Sequence, residues 1–96
     1  MSDKPIRLSA HAAEQAKFRG ATVEEIAETI RTAEWTPAER GRLEARRAFA
    51  YMLAWNGKMY TGKIVRPVFV EEDDAIVVVT VYTYYSNEEV RDEDNI

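Results

Sequence analysis

Two spacings of apolar residues divide the chain. Val23, Ile26, Ala27, Ile30 and Ala33 recur every three or four residues, the interval that lines up one side of a helix. From residue 42 onward the period falls towards two, and "KMYTGKIVRPVFV" and "AIVVVTVYTYY" carry the β-branched and aromatic residues that favour strands. The first third reads as helical and the rest as sheet, an α+β class with two N-terminal helices packed on a three- to four-stranded antiparallel sheet.

Punctuation residues sharpen the boundaries. In "LSAHAAEQAKFRG", Ser9 is an N-cap for a helix over 10–19, and Gly20 supplies the left-handed residue that closes it. Thr22 with Glu25 three residues on is a capping box for the second helix. "WTPAERG" at 35–41 reads as a loop. Residues 42–55, "RLEARRAFAYMLAW", favour helix residue by residue, but Asn56-Gly57 is a type I′ hairpin signal and makes the segment a strand. Burying each large aliphatic of that strand is worth roughly 1.5–3 kcal/mol, which outweighs a few tenths per residue of helix propensity. Pro67 then marks an edge or a bulge, residues 71–74 make a second tight connection, and residues 86–96 form an acidic, flexible tail after a single domain over 1–85.

Centring the two hairpins on Asn56-Gly57 and Glu72-Asp73 predicts a register in which Phe49 opposes Ile64 and Lys63 opposes Tyr82. Leu43, Ala45, Phe49, Tyr51, Leu53, Ile64, Val68, Val77, Val79 and Val81 then share an apolar face that receives the helices. Arg46, Lys63, Thr80, Tyr82 and Tyr84 share the other face with Val65, Phe69, Ile76 and Val78. This register also sets Arg47 against Arg66 on the apolar side, so a bulge near Pro67 is expected to turn one of them outward.

Composition narrows the function. Ninety-six residues, 46% hydrophobic and 31% charged, suffice for one core, so a site is expected as a groove or a sheet face rather than a deep cavity. With no cysteine and one histidine, no metal or other cofactor is expected. The amino terminus has no apolar h-region and the longest apolar run, at 75–79, is too short for a bilayer, so the expectation is a cytoplasmic protein with no membrane partner. Net charge is −4, yet residues 31–66 hold eight basic against three acidic side chains and residues 67–96 hold nine acidic against one basic. A cationic middle on an acidic chain is either a local anion surface or one half of a set of intramolecular ion pairs.

"LSAHAAEQAKFRGATVEEI", the basic strand, "WNGKMY", "RPVFVEE" and "IVVVTVYTYY" together resemble the bacterial family of domain of unknown function 4258, in which a Ser-x-His-Ala opening precedes a helix ending in Arg-Gly. The likeness runs over about residues 7–85. Its order of elements, a short strand at Ile6 to Leu8, two helices and a three-stranded meander (β-α-α-β-β-β), is similar to the RelE and ParE toxins. The resemblance implies a metal-independent ribonuclease of a toxin-antitoxin pair, acting on RNA and restrained by an antitoxin protein. Such cleavage needs a base for the 2′-hydroxyl, cations for the phosphate and an acid for the leaving oxygen. Carried onto this chain, His11 is the base, Arg46, Arg47 and Lys63 hold phosphate, and Tyr82 and Tyr84 stack bases or pass a proton, with His11, Lys63 and Tyr82 as the catalytic set.

Each of these residues also has a structural reading. His11 can bond a backbone carbonyl and fasten the helix start, Lys63 and Tyr82 can be a cross-strand pair, and Arg46 and Arg47 can neutralise the acidic stretches at 71–74 and 88–94. Trp35 and Trp55 read as core or lid. Two function classes therefore stay open: a toxin-like enzyme acting on RNA, and a non-enzymatic interaction module or homodimer that uses its sheet face.

Overall fold

In the computed structural model, which describes residues 4–50, 54–55 and 58–86, both helices form where their caps place them. Helix α1 (Ala10–Arg19) starts with Ser9 Oγ accepting from the Ala12 amide and stops at Gly20 with φ 81°. Helix α2 (Val23–Thr32) opens on the Thr22–Glu25 capping box, with both of its reciprocal hydrogen bonds made. Ala12 and Ala16 are the buried positions of α1, and their small side chains let it lie close on the sheet. In α2, Ile26, Thr29 and Ile30 turn inward, while Val23 at its first position stands 56% exposed instead of joining the apolar stripe. Thr22→Ala is expected to cost about 1 kcal/mol of stability, because the N3 amide loses its acceptor; urea denaturation measures it.

The sheet holds more strands than the pattern predicted. Its members are β1 (Ile6–Leu8), β2 (Thr36–Pro37), β3 (Leu43–Glu44), β4 (Arg47–Ala50) and the long β7 (Gly62–Glu71) and β8 (Ile76–Ser86), while β5 (Ala54–Trp55) and β6 (Lys58–Met59) form a separate two-stranded ribbon. The order is β1-β8-β7-β3-β2, with β4 also paired to β7. Because β1 runs parallel to β8, the sheet is mixed rather than wholly antiparallel. Segment 42–55 is indeed extended wherever it is described, against its helix propensity. It is broken at Ala45 and Arg46, where the Ala45 amide still donates to the Pro67 carbonyl at 3.3 Å. Pro67 has no N–H to return, so the ladder lapses there. Pro67 thus sits in a central strand, not at an edge.

The register departs from the expected one in three places. Asn56-Gly57, like Tyr51 and Leu53, lies outside the described residues, but the pairs Trp55↔Lys58 and Ala54↔Met59 flank it as a two-residue turn would require. Between Ala54↔Met59 and Ala50↔Gly62 the first arm then has three residues and the second two, so Phe49 faces Lys63, not Ile64. The second hairpin is centred on Asp73-Asp74 rather than Glu72-Asp73, since Glu71 pairs with Ile76, and farther on Val68 pairs with Thr80 but Phe69 with Val78, which leaves Val79 as an extra residue in β8; together these set Lys63 opposite Tyr85, not Tyr82. A slip of one residue exchanges the faces of a strand. Lys63, Val65 and Phe69 of β7 therefore lie under the helices, together with Ile76, Val78 and Val81 of β8. Ile64, Arg66 and Val68 face away, with Thr80, Tyr82 and Tyr84. The expected Arg47–Arg66 collision does not arise, since Arg47 pairs in register with Val65 and reaches Glu28 at 3.0 Å and Thr32 at 2.7 Å on α2.

The core occupies the helix-covered face. Phe69, Ile26, Ile30, Ile76, Val65, Val78 and Val81 are all but inaccessible to solvent, and Trp35 closes one end with its ring edge-on to Phe69 at 5.0 Å and its Nε1 donating to the Ile30 carbonyl. The carboxyl end of α1 is tied down by β7 and β8: Thr83 and Tyr85 hydroxyls both donate to the Arg19 carbonyl, and Lys63 Nζ donates to the Gly20 carbonyl at 2.9 Å. These donors satisfy carbonyls that a helix end leaves open. Among the described residues no helix is long and apolar enough to cross a membrane.

Candidate anion-binding face

The face of the sheet turned away from the helices carries a row of alternating guanidiniums and phenols. Arg66 of β7 and Tyr82 of β8 are direct cross-strand partners, and the Arg66 Cζ lies 4.9 Å from the Tyr82 ring centroid. Arg19, from the last turn of α1, reaches the edge of β8, donates to the Val81 carbonyl at 3.2 Å and brings its Cζ to 5.1 Å from the same ring. Tyr84, two residues along the strand and so on the same side, accepts a 2.7 Å hydrogen bond from Arg66 Nη1. Arg46 holds its guanidinium 6.0 Å from the Tyr84 ring. Distances of this order are those of cation–π attraction.

One carboxylate organises the row. Glu44 Oε1 accepts from Arg66 Nε at 3.3 Å and Nη2 at 3.0 Å. That hydrogen bond raises the Arg66 pKa above its ordinary value, with burial acting the other way and Tyr84 adding to the increase, so the group is a permanent cation. Next to the row, the turn formed by residues 37–42 borders a groove of about 790 Å³, lined by Glu39, Arg40, Arg42, Glu44, Arg66 and Tyr82 among others. The turn is unusual in its backbone: Arg40 has φ 62° and ψ 35°, followed by Gly41 at φ 72°. A left-handed non-glycine residue is uncommon outside places where something holds it.

The expected site residues divide between the two sides. Tyr82, Tyr84 and Arg46 do lie together on the open face. Lys63 does not, because the register places it under the helices, where it is 3% exposed and its Nζ lies 2.8 Å from Glu25 Oε1. Arg46 and Lys63 thus point to opposite sides of the sheet and form no common phosphate clamp. Arg47 is likewise turned to α2 and ion-paired with Glu28, not with the acidic stretch at 71–74. His11 is exposed in the first turn of α1, absent from the groove lining, and its ring makes no hydrogen bond or ion pair among the described residues. It neither joins the open face nor fastens the helix start.

Arg66, Arg19, Arg40, Arg42 and Glu44 are the members that the pattern did not single out. Arg66 was hidden by the slipped register, and Arg19 by its place in a helix end. The Pro-x-x-Arg-Gly-Arg turn carried the one usable signal, two cations bracketing a glycine. A second concavity, of about 550 Å³ between the end of α2, Trp35 and Ile76, has its rim groups engaged within the chain, Arg31 with the Lys4 carbonyl and Glu71 with the Lys4 ammonium. Comparison with family models, curated proteins and solved structures finds no match for this chain.

Proposed function

We propose that the protein is a small RNA-binding module, toxin-like in its order of elements, that holds a single strand across the open sheet face. The observation that supports this is the row Arg19, Tyr82, Arg66, Tyr84, Arg46: three guanidiniums and two phenols against one carboxylate, on a chain whose net charge is −4. Surfaces for single-stranded nucleic acid combine cations that follow the backbone with aromatic planes on which bases stack, and neither requires a deep pocket. Tyr84 is the exposed plane of the pair. Tyr82 is engaged by two arginines and serves to hold them.

Strand cleavage asks for more than this row. A base for the 2′-hydroxyl would have to come from Glu44 or a tyrosine of this face, since Lys63 is enclosed and His11 lies in the helix layer. Binding is therefore the primary function we assign, and the antitoxin protein implied by the resemblance competes for the same face. The alternative, a homodimer through the sheet, finds there a field of guanidiniums rather than an apolar patch, which disfavours burying two copies against each other.

Fluorescence anisotropy with a labelled single-stranded RNA of twelve nucleotides tests the reading. Arg46→Gln and Tyr84→Ala are each expected to weaken binding about tenfold, and the same samples run on a denaturing gel report cleavage. Wild-type affinity in both variants, or no binding by the wild type at low salt, overturns it.

A further inference from the structure

We propose that the groove between residues 37–42 and the open sheet face is a pocket for a phosphate monoester, with Arg40 and Arg42 as the groups that grip it. The guanidiniums near this face are mostly committed: Arg66 to Glu44 and Tyr84, Arg19 to the Val81 carbonyl, Arg46 to the Tyr84 ring. The side chains of Arg40 and Arg42 make no hydrogen bond or ion pair among the described residues, yet both line the groove, where they and Arg66 outnumber the carboxylates of Glu39 and Glu44, the latter held by Arg66. Two guanidiniums within one small turn suit a doubly charged phosphoryl group, whose oxygens accept their paired N–H donors, better than the single charge of a diester.

Backbone and volume agree with this. The chain holds Arg40 at φ 62°, where glycine or asparagine sits more easily, and its neighbour Gly41 is also left-handed with open space around its Cβ position. Packing does not demand an arginine at that point. Strain of this kind, kept without a packing reason, accompanies sites where a side chain must be presented. At about 790 Å³ the groove exceeds what a lone phosphate fills and falls in the range of pockets that take a nucleotide-sized molecule. The Thr80 and Tyr82 side chains lie along its sheet side for the remainder of the ligand.

The same chemistry has two sources, the 5′-phosphate of an RNA end or a free nucleoside monophosphate. In the first form the proposal rests on the RNA reading above; in the second it stands apart from it. The full chain, ¹⁵N-labelled, is titrated with adenosine monophosphate and with adenosine, and anisotropy compares the twelve-nucleotide RNA with and without a 5′-phosphate. The monophosphate is expected to shift the amides of Arg40, Gly41, Thr80 and Tyr82 and to bind at least about tenfold more tightly than adenosine. Arg40→Gly, which keeps the left-handed turn, and Arg42→Gln should each remove about tenfold of that affinity. Lys17→Gln, the same charge change on the outside of α1, should leave it unaltered.

A 5′-phosphate that strengthens RNA binding, with the gain lost in Arg40→Gly, assigns the pocket to an RNA end. Monophosphate binding with no effect of the RNA's 5′-phosphate assigns it to a free nucleotide. Monophosphate binding without any RNA binding leaves the pocket standing and removes the RNA reading. Equal affinity for adenosine and its monophosphate, no shift with either, or an equal loss in Lys17→Gln overturns the pocket even if RNA binds.

Discussion

Glu25→Ala is expected to lower the free energy of unfolding by about 3 kcal/mol, well beyond what an ordinary surface carboxylate contributes. One oxygen of this side chain, Oε1, accepts both the Thr22 amide at 3.0 Å and the Lys63 ammonium at 2.8 Å. Removing it opens the capping box and takes a carboxylate partner away from a 3% exposed ammonium. The Gly20 carbonyl, which also accepts from this ammonium, carries only a partial charge. The cost is that of a buried ammonium losing a carboxylate partner, and a second substitution should recover part of it. Lys63→Met in the Glu25→Ala background puts an apolar side chain of similar length in the dry site and is expected to restore about 1–2 kcal/mol, at the low end of what packed apolar groups gain over buried ion pairs. A urea-denaturation cycle of wild type, both single variants and the double variant measures the coupling. Additive single effects would mean that the two charges do not depend on each other.

Phe69→Ala is expected to cost about 4 kcal/mol. The ring is wholly buried, stands edge-on to Trp35 and belongs to the same cluster as Ile30, Val78 and Ile76. It is also the residue at which β7 changes register against β8, so neighbours on both strands would have to shift to refill the space. A domain of this length has about 5–14 kcal/mol of stability in all. The variant should therefore lose a large share of its folded population on mild warming, read by far-UV circular dichroism. A midpoint within a few degrees of wild type would show that the cavity collapses and that the helix-side packing is not held by this ring.

The two helices were legible because their signals are local. Ser9, Gly20, Thr22 and Glu25 act within one helical turn, and each does in the structure what its neighbours in sequence imply. The choice of strand over helix at 42–55 was also legible, since a hairpin signal and a second apolar strand outweigh propensity. Which side of the sheet each residue takes was not. The parity of β7 against β4 depends on an imbalance of one residue between arms joined through a turn, and that of β8 on one extra valine. Neither leaves a mark in composition or period.

That single uncertainty carried through to the site. The hairpin-centred register places Lys63 on the open face with Arg46, whereas the Gly20 carbonyl at the end of α1 and the Glu25 carboxylate hold it on the other side. Arg66 took its place. Tyr82 and Tyr84 kept the face they were given, because the bulge at Val79 and the offset after Ala50 both alter β7 relative to its neighbours while leaving those two phenols beside each other on alternate positions of one strand.

Val79 gives the chain a property that no side chain in it has. The strand is in one phase before this residue and in the opposite phase after it, so the interior valine and isoleucine and the outward phenols are both correct only at this count of residues. A chain shortened by one there would keep its composition and almost all of its chemistry, yet its tyrosines would be carried inward and its arginines would lose their stacking partners. The fold of this segment thus depends on spacing as well as on identity: the valine matters first as an interval.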